Sequence, residues 1–284
     1  LPPFLPVTFL QSPRRLSLSG EGRTQVLLWP DTFNNYFFPE TARAATDVLE
    51  TAGYGVLVPD KITCCGRPLY DFGMLRQAKR QLQDILRQLS PAIREGIPVV
   101  VLEPSCAAVF RDELCNLLPH DEDAERLARQ TFTFAKFIDR YLPHWQMPQV
   151  RQQVVVHGNC HQKTVIGLTA EGRILERLGA DFQMLDAGCC GMAGSFGFKK
   201  EHYDLSIQVG ELALLPAVRQ AAKDTIVISD GFSCRQQIAQ TTDRRGLHLA
   251  ELMHLAMQDG GDNTPSSDYP EQVYRSRNRL TEAG

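Results

Sequence analysis

The 284-residue sequence has no run of the roughly 20 uninterrupted apolar residues that a membrane-spanning helix requires. Its apolar start, Leu-Pro-Pro-Phe-Leu-Pro, is broken by prolines and carries no basic flank of the secretory kind. No transmembrane segment or leader is expected, and the reading is a cytoplasmic protein or one lying peripherally at the inner face of the membrane. The sequence also lacks an excess of positive charge. Thirty Lys and Arg stand against 33 Asp and Glu, a formal net charge of −3, so there is no basic field to hold phosphate backbones and nucleic acid is not an expected partner. It begins at Leu1 rather than at Met, and residues 1–23, with the Arg14-Arg15 pair, read as a linker from something longer.

Eight cysteines are present: Cys64, Cys65, Cys106, Cys115, Cys160, Cys189, Cys190 and Cys234. An even count admits a disulfide framework, yet the chain is far larger than the secreted scaffolds that depend on one. In a reducing compartment, clustered thiols more often bind metal or perform redox chemistry.

Apolar runs and breakers organise the chain twice over. Thr24 to Trp29 reads as a buried strand closed by Pro30, and Pro39 opens a helix whose apolar positions are Ala42, Ala45, Val48, Leu49 and Ala52, with Gly53 at its end. A strand from Tyr54 to Val58, the loop Cys64-Cys65-Gly66, a helix over residues 71–89 and a strand Val99 to Leu102 ending in Glu103-Pro-Ser-Cys106 complete a βαβαβ rhythm. After a linker near Pro143 to Gln149, the rhythm returns. Gln153 to Val156 is a strand leading to His157-Gly-Asn-Cys160, and a helix then runs to Leu178 with Gly179 as its cap. Val48-Leu-Glu-x-x-Gly53 matches Ile174-Leu-Glu-x-x-Gly179, and each half reaches Cys-Cys-Gly ten or eleven residues later. Each half later carries Ser-Cys, at Ser105-Cys106 and, after a strand Thr225 to Ile228, at Ser233-Cys234. Agreement in order and spacing is the mark of an internal repeat. The expected fold is α/β: two pseudo-repeated parallel-sheet, Rossmann-like units, 24–148 and 149–258, with cysteine motifs in the loops at the carboxyl ends of the strands. The polar stretch 259–284 is expected to be a flexible tail.

Loops at the carboxyl edge of a parallel sheet converge, so Cys160, Cys189, Cys190 and Cys234 can meet although they are distant in sequence. Four thiolates suit an iron-sulfur cluster, and adjacent cysteines reach two neighbouring irons more easily than one small ion. Gly191, and Gly66 in the first copy, let the backbone turn tightly or approach closely. A zinc-stabilised interaction domain, a thiol redox enzyme using Cys189-Cys190, and plain buried thiols are the alternatives. The first half offers Cys64, Cys65 and Cys106, with Asp31 where the second half has Cys160. A hard oxygen donor there leaves three outcomes open: an unusual cluster completed by Asp31, another residue in its place, or a half that has lost its metal. His157 and His161 flank Cys160 and are read as neighbours that tune a cluster rather than as ligands. Cys115 shares an apolar helix face with Phe110, Leu114 and Leu118 and is read as a packing thiol.

These motifs resemble the cysteine-rich CCG domain family, found in iron-sulfur subunits of the glycolate oxidase and heterodisulfide reductase type. The text Trp29-Pro-Asp-Thr-Phe-Asn-Asn-Tyr36 with Pro39-Glu40 is most similar to the carboxy-terminal, iron-sulfur-binding part of fused FAD-linked oxidases of the D-lactate or 2-hydroxyglutarate dehydrogenase kind. The sequence departs from the family pattern in two ways: Val109 and Gln237 stand where the late motif often has a second cysteine, and Asp31 stands for the first copy's early cysteine. The resemblance implies one 4Fe-4S cluster with a second left open. It also implies electron transfer from a reduced flavin, formed by oxidising a 2-hydroxy acid, to a quinone or cytochrome. Nothing in the chain looks like a flavin-binding domain or a ferredoxin-like Cys-x-x-Cys-x-x-Cys segment, so the FAD is expected on another domain or subunit.

Overall fold

The computed structural model describes residues 2, 4–11, 23–61, 63–259 and 269–280. The chain forms two compact units. One comprises residues 2–143 together with 164–167, and the other comprises 144–163 and 168–284.

In the first unit, β1 (Gln25–Trp29), β2 (Gly55–Leu57), β3 (Val99–Val101) and β4 (Thr131–Thr133) form a parallel sheet in the order β2-β1-β3-β4. Leu27 of β1 stands opposite Leu57 on one side and Val99 on the other. The central strands β1 and β3 are near-continuous apolar runs, as in sheets with helices on both faces. The helix Leu75–Arg94 buries Ala78, Leu82, Ile85, Leu86, Leu89 and Ile93, a stripe at helical period, and all of these but Ala78 share one core cluster with Leu27, Val99 and Val101. Trp29 meets Phe110 edge to face, with ring centroids 5.3 Å apart. Ile166, from the short stretch 164–167, belongs to this core.

The second unit repeats the plan with β5 (Gln153–Val156), β6 (Asp181–Met184) and β7 (Ile226–Ile228) in the order β6-β5-β7, all parallel. Leu247 makes a single parallel bridge to Ile228, bonded through Ser229 N to Leu247 O at 2.9 Å and Leu247 N to Val227 O at 2.8 Å. It takes the place that β4 has beside β3. A helix follows in both cases, Phe134–Tyr141 after β4 and Leu249–Asp259 after Leu247. The fold is thus mixed α/β with two parallel sheets, as the rhythm of the sequence implies.

The repeated Leu-Glu-x-x-Gly has one physical cause. At the end of the helix Pro39–Thr51, Gly53 (φ +94°) donates to Glu50 O and Tyr54 N donates to Leu49 O, both at 3.0 Å. At the end of Thr169–Arg177, Gly179 (φ +69°) donates to Glu176 O at 3.0 Å and Ala180 N to Leu175 O at 3.1 Å. Both are Schellman closures, which need the left-handed backbone that glycine adopts without strain.

Both chain ends differ from the sequence expectation where they are described. Phe9 is buried, Leu10 N donates to Asn35 Oδ1 at 3.0 Å, and Phe4 stacks on Phe37 at 4.6 Å, so residues 4–11 pack on the first unit. Residues 12–22, including Arg14 and Arg15, lie outside the described residues. The expected flexible tail contains a docked helix, Pro270–Leu280. Arg244 and Glu271 form a buried ion pair at 2.7 Å, Arg244 also donates to Ala222 O at 3.2 Å, and Tyr269 covers its guanidinium at 4.4 Å. Tyr274 is fully buried with its hydroxyl 3.0 Å from His254 Nδ1. A few specific contacts hold this helix, which is why a search for apolar periodicity does not find it. Among the described residues, no helix is long and apolar enough to cross a membrane. Because removing one partner of a buried pair strands the other charge, Glu271→Ala is expected to destabilise the second unit by about 3 to 5 kcal/mol in urea denaturation. A loss under about 1 kcal/mol, the value of an exposed pair, would show that the helix is not anchored this way.

Candidate metal centre

The four cysteines of the second unit arrive on three strand ends. β5 runs into His157-Gly158-Asn159-Cys160, β6 leads to Cys189-Cys190-Gly191, and β7 leads through Ser229 and Gly231 to the helix Phe232–Thr241, with Cys234 in its first turn. Gly191 has φ +94°, and a Cβ there would stand 2.0 Å from Ser206 O, so the Cys-Cys turn closes only around a glycine. Gly231 is tight as well: a Cβ would meet Asn159 Nδ2 at 2.5 Å.

The thiols interact in sequence through side-chain hydrogen bonds, Cys160 with Cys189, Cys189 with Cys190 and Cys190 with Cys234. Cys190 and Cys234 are buried, whereas Cys160 and Cys189 are half-buried. Contact with the sulfurs of Cys160 and Cys190, and backbone N–H groups of Gly191 and Ala193, push Cys189 down to about 2. Gly191 N lies 3.3 Å from Cys189 Sγ. Cys234 is also held well below the usual thiol range, by Cys190 first and then by His157 and Ser229 against the cost of burial. Cys160 and Cys190 are pushed up, chiefly by hydrogen bonding to Cys189. Asn159 Nδ2 donates to Cys234 Sγ at 3.8 Å, and Asn159 Oδ1 accepts from His161 N at 2.9 Å.

His157 is 1% exposed, and among the described residues neither ring nitrogen has a hydrogen-bond partner. Its ring lies beside Cys234 and favours the thiolate there. The His161 backbone N–H plays the corresponding part for Cys160. Ser229 Oγ donates to His157 O at 3.0 Å, fixing the end of β5 to the end of β7. Asn159, Ser206, Ser229 and Gln237 carry no motif of their own, and no spacing in the sequence marks the first three as site residues. The one signal for Asn159 and Ser229 is their position just beyond strand ends.

The first unit brings together Cys64, Cys65 and Cys106. Cys65 and Cys106 are buried with their sulfurs 3.0 Å apart, and Cys64 contacts Cys65. All three thiols are pushed up. Cys64 is raised by its hydrogen bond to Cys65 and by burial, and Cys65 is raised chiefly by its bond to Cys106. The Cys65 sulfur draws Cys106 down, but burial and the charges of Asp31 and Glu103 outweigh it and leave Cys106 pushed up to about 11. Gly66 has φ +85° and begins the helix Arg67–Asp71, repeating the left-handed turn of Gly191. Arg67 pairs with Glu113 at 2.6 Å and fixes this turn to the π-helical stretch Val109–Glu113 that follows Cys106.

Asp31 is buried near these thiols but is bound elsewhere. Its Oδ1 accepts from Phe33 N at 2.9 Å and Asn34 N at 3.0 Å, and its Oδ2 accepts from Asn34 Nδ2 at 2.7 Å. This is the N-cap of the helix Thr32–Tyr36. Val109, at the other departure from the family pattern, is a core residue. Cys115 is half-buried in the first unit, pushed up by burial, with its sulfur directed at Ala124 O.

Among the described residues, no group of three or more His, Cys, Asp or Glu side chains is arranged as a site for a single metal ion. The donor chemistry is that of soft sulfur. The second unit offers four sulfurs with N–H and O–H donors around them, while the first offers three sulfurs and a carboxylate already committed to a helix end.

A family model described as a cysteine-rich domain, CCG, matches residues 31–111 and again 154–239. One subunit of the anaerobic glycerol-3-phosphate dehydrogenase of Escherichia coli (strain K12) is 30% identical over 83% of this chain and 60% of its own length. The chain therefore spans about 60% of the Escherichia coli relative. Lactate utilization protein A of Geobacillus kaustophilus (strain HTA426) is 28% identical over 81% of this chain and 98% of its own, and that of Exiguobacterium sp. is 26% identical over 81% and 95%. With two matched segments that contain both Cys-Cys-Gly turns and the thiols around them, the chain belongs to the cysteine-rich CCG domain family.

Proposed function

We propose that this chain is an iron-sulfur electron-transfer module whose principal 4Fe-4S cluster is held by Cys160, Cys189, Cys190 and Cys234. The observation that carries the reading is the meeting of four sulfurs from three strand ends of one parallel sheet. A bound cluster would supply one-electron chemistry. The chain's own part is to bury two of the four sulfurs, to exclude water from that side, and to aim hydrogen-bond donors at sulfur. Gly191 and Ala193 N–H serve Cys189, and Asn159 Nδ2 serves Cys234, with the His157 ring beside it. Such donors stabilise the more negative, reduced state and raise the potential.

The relatives' names, a dehydrogenase subunit and lactate utilization proteins, support a catalytic partner that oxidises a small hydroxylated substrate. The partner we propose is an FAD-binding oxidase domain or subunit acting on a 2-hydroxy acid, with a quinone or cytochrome receiving the electrons. In the first unit, Cys64, Cys65 and Cys106 form a weaker site, because Asp31 caps a helix and supplies no free carboxylate.

Cys189→Ser or Cys234→Ser should remove most iron and visible absorption from anaerobically purified protein, while Cys64→Ser and Cys115→Ser should leave both nearly unchanged. Full iron and sulfide in Cys189→Ser together with their loss in Cys64→Ser would reverse the assignment.

His157→Phe keeps a ring beside Cys234 but removes its N–H. The midpoint potential should fall by roughly 60 mV, the one-electron equivalent of one hydrogen bond of about 1.4 kcal/mol. A potential within measurement error of the parent would rule out a tuning role for His157.

A further inference from the structure

We infer that Gln237 is the positioning residue of the second thiol site: its side-chain amide clamps the Cys189-Cys190-Gly191 turn, through Ser206, to the helix that carries Cys234. Gln237 lies one turn beyond Cys234 on the helix Phe232–Thr241, on the same face, and is 1% exposed. Its Nε2 donates to Ser206 O at 3.0 Å and lies 3.2 Å from Ser206 Oγ. Ser206 is fully buried in the helix Tyr203–Glu211.

That helix reaches the turn at the same point. A Cβ on Gly191 would lie 2.0 Å from Ser206 O and 3.1 Å from Gln237 Nε2. One turn further on, a Cβ on Gly210 would lie 3.0 Å from Cys190 O and 3.2 Å from Gln237 Nε2. Ser206 Oγ donates to Met192 Sδ at 3.8 Å, just past the turn. The amide therefore sits where three segments meet, and glycine at 191 and 210 is what lets them close on it. An apolar residue of the same length would fill the space without directing a bond at Ser206 O. With its N–H bonds spent in this way, Gln237 holds the cysteines in place rather than adding a donor to them.

The inference rests on the proposed function only for what the turn holds, so its test is read first in metal-free protein. Cys190 is 4% exposed and reacts only when the turn opens. In the full chain stripped of metal by a chelator, the rate of Cys190 alkylation by iodoacetamide, read by peptide mass spectrometry, should rise roughly tenfold in Gln237→Met and in Gln237→Glu, the shift in opening expected from one lost buried hydrogen bond. Cys106, 5% exposed in the other unit, is the internal reference and should keep its rate. Thr241→Ala removes a 2.7 Å bond to the Gln237 carbonyl on the same helix without touching the amide, and should leave Cys190 at the parental rate. Parental Cys190 rates in both Gln237 variants, or an equal rise at Cys106, would overturn the clamp. In iron-loaded protein, the electron paramagnetic resonance of the reduced cluster should shift in Gln237→Met and not in Thr241→Ala, and a Gln237→Met variant that only melts earlier, with parental resonance and parental Cys190 reactivity, would reduce Gln237 to a packing residue. Parent protein that binds no iron would defeat the functional proposal and leave the alkylation result to decide the clamp by itself.

Discussion

The constraint on which the second unit depends is the convergence of parallel strand ends. β5, β6 and β7 run in the same direction, so the loops that leave them crowd one edge, and thiols 29 to 74 residues from Cys160 meet there. Sheet pairing and the packing of Leu214, Leu215, Val218 and Ile238 with Val227 fix the strand ends. The site then inherits its geometry from the core on which it is built, which includes Cys190 and Cys234. What the loops must add is permission for close approach, and Gly191 and Gly231 supply it at the two contacts where a Cβ would collide with Ser206 O and Asn159 Nδ2.

The two halves share this plan and differ in electrostatics. In the second, contacts among the sulfurs and backbone N–H donors favour thiolates at Cys189 and Cys234. In the first, burial together with the nearby negative charges of Asp31 and Glu103 keeps Cys106 protonated, and Cys64 and Cys65 are raised as well. Metal ligands must lose their protons, and the two frames differ in that Cys189 and Cys234 are held low in the second unit, beside Cys160 and Cys190 which are pushed up, whereas all three thiols of the first are pushed up. Asp31 sits at the origin of the difference. The carboxylate that replaces an early cysteine closes a helix N-terminus, which suits an anion accepting backbone N–H groups and uses both of its oxygens.

Much of this was legible in the sequence because it is carried by period, spacing and glycine. The repeated Leu-Glu-x-x-Gly encodes the same helix closure twice, and Cys-Cys-Gly encodes a left-handed turn at Gly66 and Gly191. Two short elements were not legible. β4 is Thr-Phe-Thr, three residues with one apolar side chain and no flanking breaker, and its counterpart is Leu247 alone. The helix Pro270–Leu280 is polar along most of its length and is held by Glu271 and Tyr274, whose partners Arg244 and His254 lie 27 and 20 residues upstream. Nor could spacing show that Asp31 caps a helix or that Gln237 bonds Ser206, since both depend on where a side chain points after folding.

On the function proposed above, the four thiols of the second unit are the seat of an iron-sulfur cluster. Iron and acid-labile sulfide measured together on the anaerobically purified chain, against its protein concentration, test it most directly. About four of each per chain are expected, with broad visible absorption that bleaches on reduction. Colourless protein carrying about one zinc and no sulfide would contradict it.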